Sequence, residues 1–571
     1  VDKRGGPRHK LDPLLPVPES SMRRLVLAAL LATSTAAGAQ TVPQAPTIPI
    51  ETMKEVTKTL SSDAFEGRAP GSAGEDKTLA YLQVQFAKAG LKPGNHGKWL
   101  QDVPLVEIAA KNVSALTFTG GKTPLSLAFG PDMVLSTYRV TPHVEVKNSD
   151  VVFAGYGIVA PEKGWNDYAG LDVKGKTVIV LINDPDWQTP TLDGPFGGRA
   201  MTYYGRWTYK YEEAARQGAA AVIIVHDTEP AAYGWNVVQS SNTGPNQVAD
   251  AANGHMDDVA AHGWMQLDKA RALFASAGQN FDQLAAAAKV KGFKPVPLGV
   301  KASVSFDNAI KKHISHNVIG ILPGTTRPND YVLLSGHWDH LGHCTPVNGD
   351  DICNGAVDNA TGTAALVALA QANVKAGPPK RSMVFIALTA EESGLLGSEY
   401  YGNNPVYPLA QTVGGANMDA LSMAGPSHDV TVIGLGKSEL DGYLEAALKQ
   451  QGRTATREPT PEKGFYYRSD HFSLAKHGVP MVYFEAGMDL VKGGRAAGEA
   501  AAKDYEEHRY HAPQDEYDPS WDWTGVEQDL QLYYSISRGL ADGDAWPNWT
   551  PGDEFRAIRD KSRAALTGAA K

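Results

Sequence analysis

The sequence predicts an α/β fold, a doubly wound, mostly parallel sheet with a second α/β unit inserted into it. Three observations carry this reading. YVLLS (331–335), SMVFIAL (382–388) and PMVYF (480–484) are short, continuously apolar runs, the pattern of strands buried on both faces of a parallel sheet. Helical patterns such as GTAALVALAQANVKAG and SELDGYLEAALKQQG lie between them, and strand–helix alternation places helices on both faces. From about 130 to 295 a separate rhythm runs: VVFAGYGI and KTVIVLIND read as strands, YKYEEAARQG as a helix, and AAAVIIV as a strand.

Taken in order, the chain of 571 residues is long enough for about two to four domains. From Met22 it reads MRRLVLAALLATSTAAGAQ: Arg23 and Arg24, an apolar stretch, then the small residues Ala37-Gly38-Ala39. That is the pattern of a secretory signal peptide over 22–39, too short to span a bilayer, so the mature protein is expected to be periplasmic or secreted, with no membrane partner after cleavage. A Pro-rich linker, TVPQAPTIP, leads to ETMKEVTKTLSS and EDKTLAYLQVQFAKAG, which carry apolar residues at helical spacing on either side of the turn EGRAPGSAG. The expected partition is the first part of the main domain over 40–129, a small independent α/β insert over 130–295, the main domain over 296–545 and a tail over 546–571. Hydrophobic residues make up 42% and charged residues 20%, the balance of a soluble globular protein. The net charge of −10 and the lack of any Lys/Arg run exclude a nucleic-acid partner. Cys344 and Cys353 are the only cysteines, and in an oxidising compartment they are expected to pair, contributing about 2–4 kcal/mol.

The chemistry gathers where strands end, which is where open α/β sheets bind ligands. YVLLS leads into Gly336-His337-Trp338-Asp339, SMVFIAL into Thr389-Ala390-Glu391-Glu392, and the weaker strand QTVGGAN into Met418-Asp419. NGAVDNAT places Asp358 before the helix GTAALVALA, and RYHAPQDEYD supplies His511 from a late loop. Singly, each is an ordinary cap, turn or helix-start residue. Together, the acids would repel one another unless cations compensated. Two histidines and three acids without a nearby thiol suit zinc, and one shared carboxylate suits two zinc ions. Nothing competes elsewhere. No GxSxG nucleophile elbow occurs, and GLGKSE (434–439) lacks the first glycine of a phosphate loop because Thr431 stands there.

The ordered set GHWDHLG, GAVDNATG, TAEESGLLGS, NMDA and YHAPQDEYD, with EGRAPGSAG near the start, resembles family twenty-eight of the metallopeptidases, the co-catalytic di-zinc aminopeptidases. Residues 130–295 resemble the protease-associated (PA) domain that some members carry as an insertion. The resemblance implies a zinc-exopeptidase fold and hydrolysis of peptide substrates from their N-terminus. It implies that His337 and Asp419 bind one zinc, Glu392 and His511 the other, and Asp358 bridges them. Glu391 would be the general base, and the peptide bond after Asp358 is cis in relatives. Asp339 is expected to accept the ring N–H of His337. His340 and His343 are expected to be loop residues, and Asp470 and His471 supporting ones. In GFYYRSDHFSLAKHGVP, Tyr466 or, preferentially, Tyr467 is expected to donate to the oxyanion. Arg468, and Arg199 in the insert, are candidates to hold a carboxylate, which keeps carboxypeptidase or dipeptidase action open beside the favoured aminopeptidase. Glutaminyl cyclase and a non-catalytic binding protein use the same scaffold, but the full ligand set disfavours both. The insert's partner and the side-chain preference stay unspecified.

Overall fold

The apolar runs read as buried strands do alternate between two cores. In a computed structural model, which describes residues 40–568, Val332 and Leu334 pack in one core with Met383, Phe385 and the helix Gly362–Lys375. Tyr331 and Leu333 pack in another with Val384, Ile386 and Leu474. Successive side chains of a strand point to opposite faces, so a run with no polar residue needs cover on both. The helix Gly362–Lys375 is buried along nearly its whole length, as suits a helix apolar all round. The helix Leu440–Gln451 stops at Gly452, whose φ of +67° is the left-handed position glycine tolerates at a helix end. Residues 22–39, read as a signal peptide, lie outside the described residues.

Among the described residues, eleven strands of a fifteen-stranded sheet position the site and the insert. In chain order they are β1 (Leu100–Lys111), β2 (Met133–Ser136), β3 (His143–Phe153), β4 (Thr177–Leu181), β5 (Ala221–His226), β6 (Ala261–Gln266), β7 (Val296–Leu322), β8 (Arg327–His337), β9 (Arg381–Leu388), β10 (Thr412–Asn417) and β11 (Met481–Val482). One sheet orders them β11–β10–β8–β9–β7–β3–β4–β5–β6–β2, with β1 also paired to β7. β11, β10, β8 and β9 run parallel, as do β3, β4, β5 and β6. The doubly wound, mostly parallel sheet is therefore present. The apolar run 480–484 is split: Met481 and Val482 pair with β10, while Phe484 joins a small separate sheet.

Two expectations need correction. The insert is not independent of the main sheet. β7 is 27 residues long and pairs at its end with β9 and at its start with β3, so one strand carries hydrogen bonding from one half to the other. Each half keeps its own apolar cores. The last segment, in its described part 546–568, is likewise more than a tail. Trp549 is fully buried and donates its indole N–H to the Gly478 carbonyl at 3.0 Å, and Arg559, also buried, donates to the Val413 carbonyl at 3.0 Å. Among the described residues no helix is long and apolar enough to cross a membrane.

Replacing Trp549 by alanine is expected to cost about 3–5 kcal/mol, the usual range for emptying a buried aromatic site. Denaturant unfolding checks this: a midpoint unchanged from wild type would show that the segment is dispensable.

Candidate metal centre

His337 ends β8, and the loops after β9 and β10 carry Glu391-Glu392 and Asp419, so three adjacent parallel strands deliver their ends to one place. The loop before Gly362 adds Asp358, and His511 comes from the turn after the helix Gly494–His508. His337 Nε2 lies 3.3 Å from Asp358 Oδ1, 3.2 Å from Asp419 Oδ1 and 4.0 Å from Glu391 Oε2. His511 Nε2 lies 3.3 Å from Asp358 Oδ2 and 3.0 Å from Glu392 Oε2. Asp358 thus stands between two imidazoles and turns one oxygen to each. The Asp358–Asn359 peptide is cis.

The electrostatics of this cluster follow from burial and crowding. Burial disfavours charge on every member, yet the proximity of Glu391, Asp419 and Asp358 holds the His337 imidazole well above its usual range. His511 is pushed up to about 10 by Asp358 and Glu392 against the opposing effect of burial. On the acid side, burial works to raise Asp358, but His337 and His511 keep it well below the usual carboxylate range. Glu391 goes the other way and is raised well above it, chiefly by burial. A donor set that draws protons onto its imidazoles so strongly is one that demands positive charge. His337 with Asp358 and Asp419, and His340 with Asp358 and Glu392, each bring ligand atoms within 4.8 Å of one another, close enough to hold a metal ion. Imidazole with carboxylate is a donor set that suits zinc.

Around the cluster lies a frame. Asp515 accepts the N–H groups of Val357 (2.9 Å) and Asp358 (3.0 Å), clamping the Asp358 loop. Asn359 accepts from Gly362 at 2.9 Å and Ala420 at 3.1 Å, which ties the Asp358 loop to the Asp419 loop. Arg68, of the EGRAPGSAG turn, is fully buried and donates to the carbonyls of Leu60, Trp338, Asn354 and Gly355 at 2.6–2.9 Å. It therefore joins the loop after β8 to the loop that carries Asp358. Burial pushes its guanidinium down to about 10, while Asp515, Asp339, Asp358 and Glu392 favour its charge. The Cys344–Cys353 disulfide closes the hairpin between His337 and Asp358.

Residues 317–535, which contain all five of these ligand-type positions, match the profile of Peptidase family M28, and residues 140–261 match that of the PA domain. Over residues 317–535 the chain is similar to peptidase family M28. Among curated proteins it is similar to mouse aminopeptidase NAALADL1, 34% identical over 137 residues, which is 22% of this chain and 17% of that protein. It is also similar to the Caenorhabditis elegans glutamate carboxypeptidase 2 homolog, 28% identical over 197 residues, 33% of this chain and 24% of that one. These matches span under a quarter of the relatives' own length. Among solved structures, an aminopeptidase from Aneurinibacillus sp. strain AM-1 aligns over 87% of this chain and 95% of its own, at 21% identity and a TM-score of 0.47.

Within the site several side chains sit differently from expectation. Asp339 is buried behind the cluster, and its carboxylate accepts the backbone N–H groups of Glu391 (3.1 Å) and Glu392 (3.4 Å). The nearer partner of His337 Nδ1 is the main-chain carbonyl of Asp339 at 3.2 Å, with the carboxylate at 3.7 Å. Both come from one residue, so Asp339 positions the histidine and the Glu-Glu pair at once. His340, expected to be a plain loop residue, is 1% exposed, and its Nδ1 lies 2.6 Å from Glu392 Oε1. His343 is exposed and lies 3.2 Å from Asp351. Asp470 and His471 are both fully buried, and the His471 ring packs between Tyr466 and Tyr483.

Tyr467 is the clear correction. Its hydroxyl donates to Glu554 Oε1 at 2.9 Å, and its ring packs against Phe472 and Tyr203. The short turn Phe465–Tyr467 aims it at the C-terminal segment, which the sequence reading treated as a tail. Two other tyrosines border the cluster. Tyr510 stacks on His511 with ring centroids 3.8 Å apart. Tyr483 follows β11 and is raised well above its usual range by burial together with the charges of Asp419, Glu485 and, less strongly, Glu391. Residue type alone does not single these out, although Tyr510 immediately precedes a ligand-type histidine.

Arg68→Ala would leave four buried carbonyls without their donor, each worth about 1–3 kcal/mol when unsatisfied. The variant is expected to lose at least about 3 kcal/mol of stability. A denaturant midpoint within experimental error of wild type would contradict the role given to Arg68.

Proposed function

We propose that this M28 peptidase is a zinc-dependent aminopeptidase that holds two zinc ions. His337 and Asp419 would hold one ion and Glu392 and His511 the other, with Asp358 available to both. The observation that carries the reading is the two-sided placement of Asp358, one oxygen 3.3 Å from His337 and the other 3.3 Å from His511. When bound, the ions would polarise the scissile carbonyl and bring a water's pKa towards neutrality. The protein's own residues do the rest. Glu391, held by Asp339 through its backbone N–H, accepts the proton of the attacking water at its carboxylate and returns it to the leaving amine. Its neighbour Glu392 is fixed from one side by His340 and from the other by His511. Ser469 donates to Asp419 Oδ2 at 2.7 Å and sets the orientation of that carboxylate. The frame of Arg68, Asp515 and Asn359 fixes the loops, so the donor set is preorganised.

The choice of aminopeptidase draws on the name of the mouse relative and on the acidic wall of the site. Glu485, pushed up to about 7 by burial and by the nearby charge of Asp419, adds a further acid on the side of Asp419. A surplus of acids suits a substrate's free α-amine. The signal-peptide pattern at 22–39 makes the protein a candidate for export, and a disulfide between Cys344 and Cys353 fits an oxidising compartment.

Glu391→Gln is expected to retain metal while activity falls by about 10²–10⁴-fold. Near wild-type turnover in that variant would remove Glu391 from its role. Cleavage of matched peptides with free and acetylated N-termini, with and without chelator, tests the class of reaction. The reading expects chelator-sensitive cleavage of the free amine alone, and equal cleavage of both peptides would exclude an aminopeptidase.

A further inference from the structure

The insert has strand ends of its own, and they open onto a cavity. β4, β5 and β6 are adjacent and parallel. Leu181 at the end of β4, Val225 near the end of β5 and Leu267 just after β6 line one space of about 210 Å³. Open α/β sheets bind ligands at that edge, and the metal centre uses the strand ends of the catalytic half in the same way. The helix Phe281–Ala288 covers the cavity with Phe281, Asp282, Ala285 and Ala286, followed by Lys289, positions that share one helical face. Two of the five are alanines of FDQLAAAAK. Larger side chains there would fill the space, so the sequence itself leaves it open.

The walls are fixed from behind. Tyr156 is fully buried, and its carbonyl accepts Lys210 Nζ at 2.7 Å while the same ammonium donates to the Asn183 carbonyl at 3.0 Å. This ties the loop after β3 to the loop after β4, which brings Trp187 and Gln188 to the cavity. Tyr156, Trp187, Phe281 and the aliphatic strand ends give it an apolar floor. Its charges are not all matched. Arg271 and Asp282 at the rim satisfy each other at 2.9 Å. Lys289 has only neutral company: its ammonium donates to Gln188 Oε1 and lies 5.9 Å from the Trp187 ring centroid. Asp227, the residue after β5, also lines the cavity and is half-buried, and among the described residues its carboxylate has no hydrogen-bond or ion-pair partner. A partly buried charge is costly until an opposite charge joins it. Neither arginine singled out in the sequence reaches this place: Arg199 donates to the Pro459 carbonyl at 3.1 Å, and Arg468 lies 5.1 Å from the Phe465 ring centroid.

We propose that this cavity binds a free α-amino acid with an apolar side chain, its ammonium on Asp227, its carboxylate on Lys289 and its side chain on the floor of Tyr156, Trp187 and Phe281. Size and charge decide the occupant. Pockets for drug-sized ligands run to about 300–1,000 Å³, so a space of about 210 Å³ suits one amino acid better than a longer peptide. A zwitterion answers both unmatched charges through charge-assisted hydrogen bonds. A free amino acid is also what an aminopeptidase releases, which would make the insert a receptor for the product. That link rests on the aminopeptidase reading, whereas the chemistry of the cavity does not.

Calorimetric titration of the full-length, metal-loaded protein tests the site, with L-leucine, N-acetyl-L-leucine, 3-methylbutylamine and glycine as probes. L-Leucine is expected to bind saturably. The other three, which lack the ammonium, the carboxylate and the side chain in turn, are expected to bind about tenfold or more weakly. Asp227→Asn and Lys289→Met should each weaken L-leucine by about tenfold or more, and Ala285→Phe, which fills the cavity, should abolish this binding. None of the three positions contacts a ligand-type residue of the metal centre, so L-leucine held there is the same in every variant and is subtracted. Absence of L-leucine binding in wild type overturns the site, as does an affinity and stoichiometry unchanged in Asp227→Asn and Ala285→Phe. Binding that the variants lose, in a protein that cleaves no free-amine peptide, upholds the site and removes only its link to a product.

Discussion

Carboxylates gathered in a buried space repel one another, and much of this molecule is arranged around that constraint. Asp358, Glu391, Glu392 and Asp419 share a site with two imidazoles that are held above their usual pKa range. Behind them Arg68, fully buried, supplies a fixed positive charge while its N–H groups occupy four carbonyls. Such a cluster persists only if cations offset it and if a frame of hydrogen bonds prevents the acids from moving apart. The parallel sheet provides the first part of the frame, because neighbouring strand ends deliver His337, Glu391-Glu392 and Asp419 together. Asp515, Asn359, Asp339 and His340 provide the second, each holding a loop or a ligand-type side chain from behind.

The insert enters this arrangement from the side. β7 belongs to both halves of the sheet, so the insert and the catalytic half share continuous hydrogen bonding. The turn at Tyr203–Gly205 then rests on the loop that follows the catalytic strands, next to Ser469 and its contact with Asp419. A domain read as a separate accessory thus forms part of the wall beside the site. The C-terminal segment meets the insert at the same place, the Phe555 ring centroid lying 6.5 Å from that of Tyr203, with Glu554 holding Tyr467 and Trp549 packed under Gly478.

Much of the fold and most of the site were legible in the sequence. Runs such as SMVFIAL have no polar face, so their burial on both sides follows from composition alone, and the residues that come directly after them are placed by the sheet. That is why His337, Glu391, Glu392 and Asp419 were identifiable. Asp358 was legible as the acid before a buried helix and His511 as a histidine in a late loop, but a loop residue has no periodicity to place it, and their roles came from the motif resemblance. What stayed hidden depends on directions that only tertiary contacts set. His340 lies three residues from His337 in the same loop, and nothing in GHWDHLG shows that it turns inward to Glu392. Arg68 and Asp515 sit in recognised motifs, yet their role as clamps needs partners more than 150 residues away in the chain. Tyr467 was misjudged because its partner Glu554 lies in a segment with weak apolar patterning.

The central claim is that two cations share Asp358. Crystals of the zinc-loaded protein, with anomalous diffraction recorded on either side of the zinc absorption edge, test it most directly. The account predicts two anomalous peaks, one beside His337 and Asp419 and one beside Glu392 and His511, with the Asp358 carboxylate between them. A single peak, or two peaks of which only one touches Asp358, would contradict it.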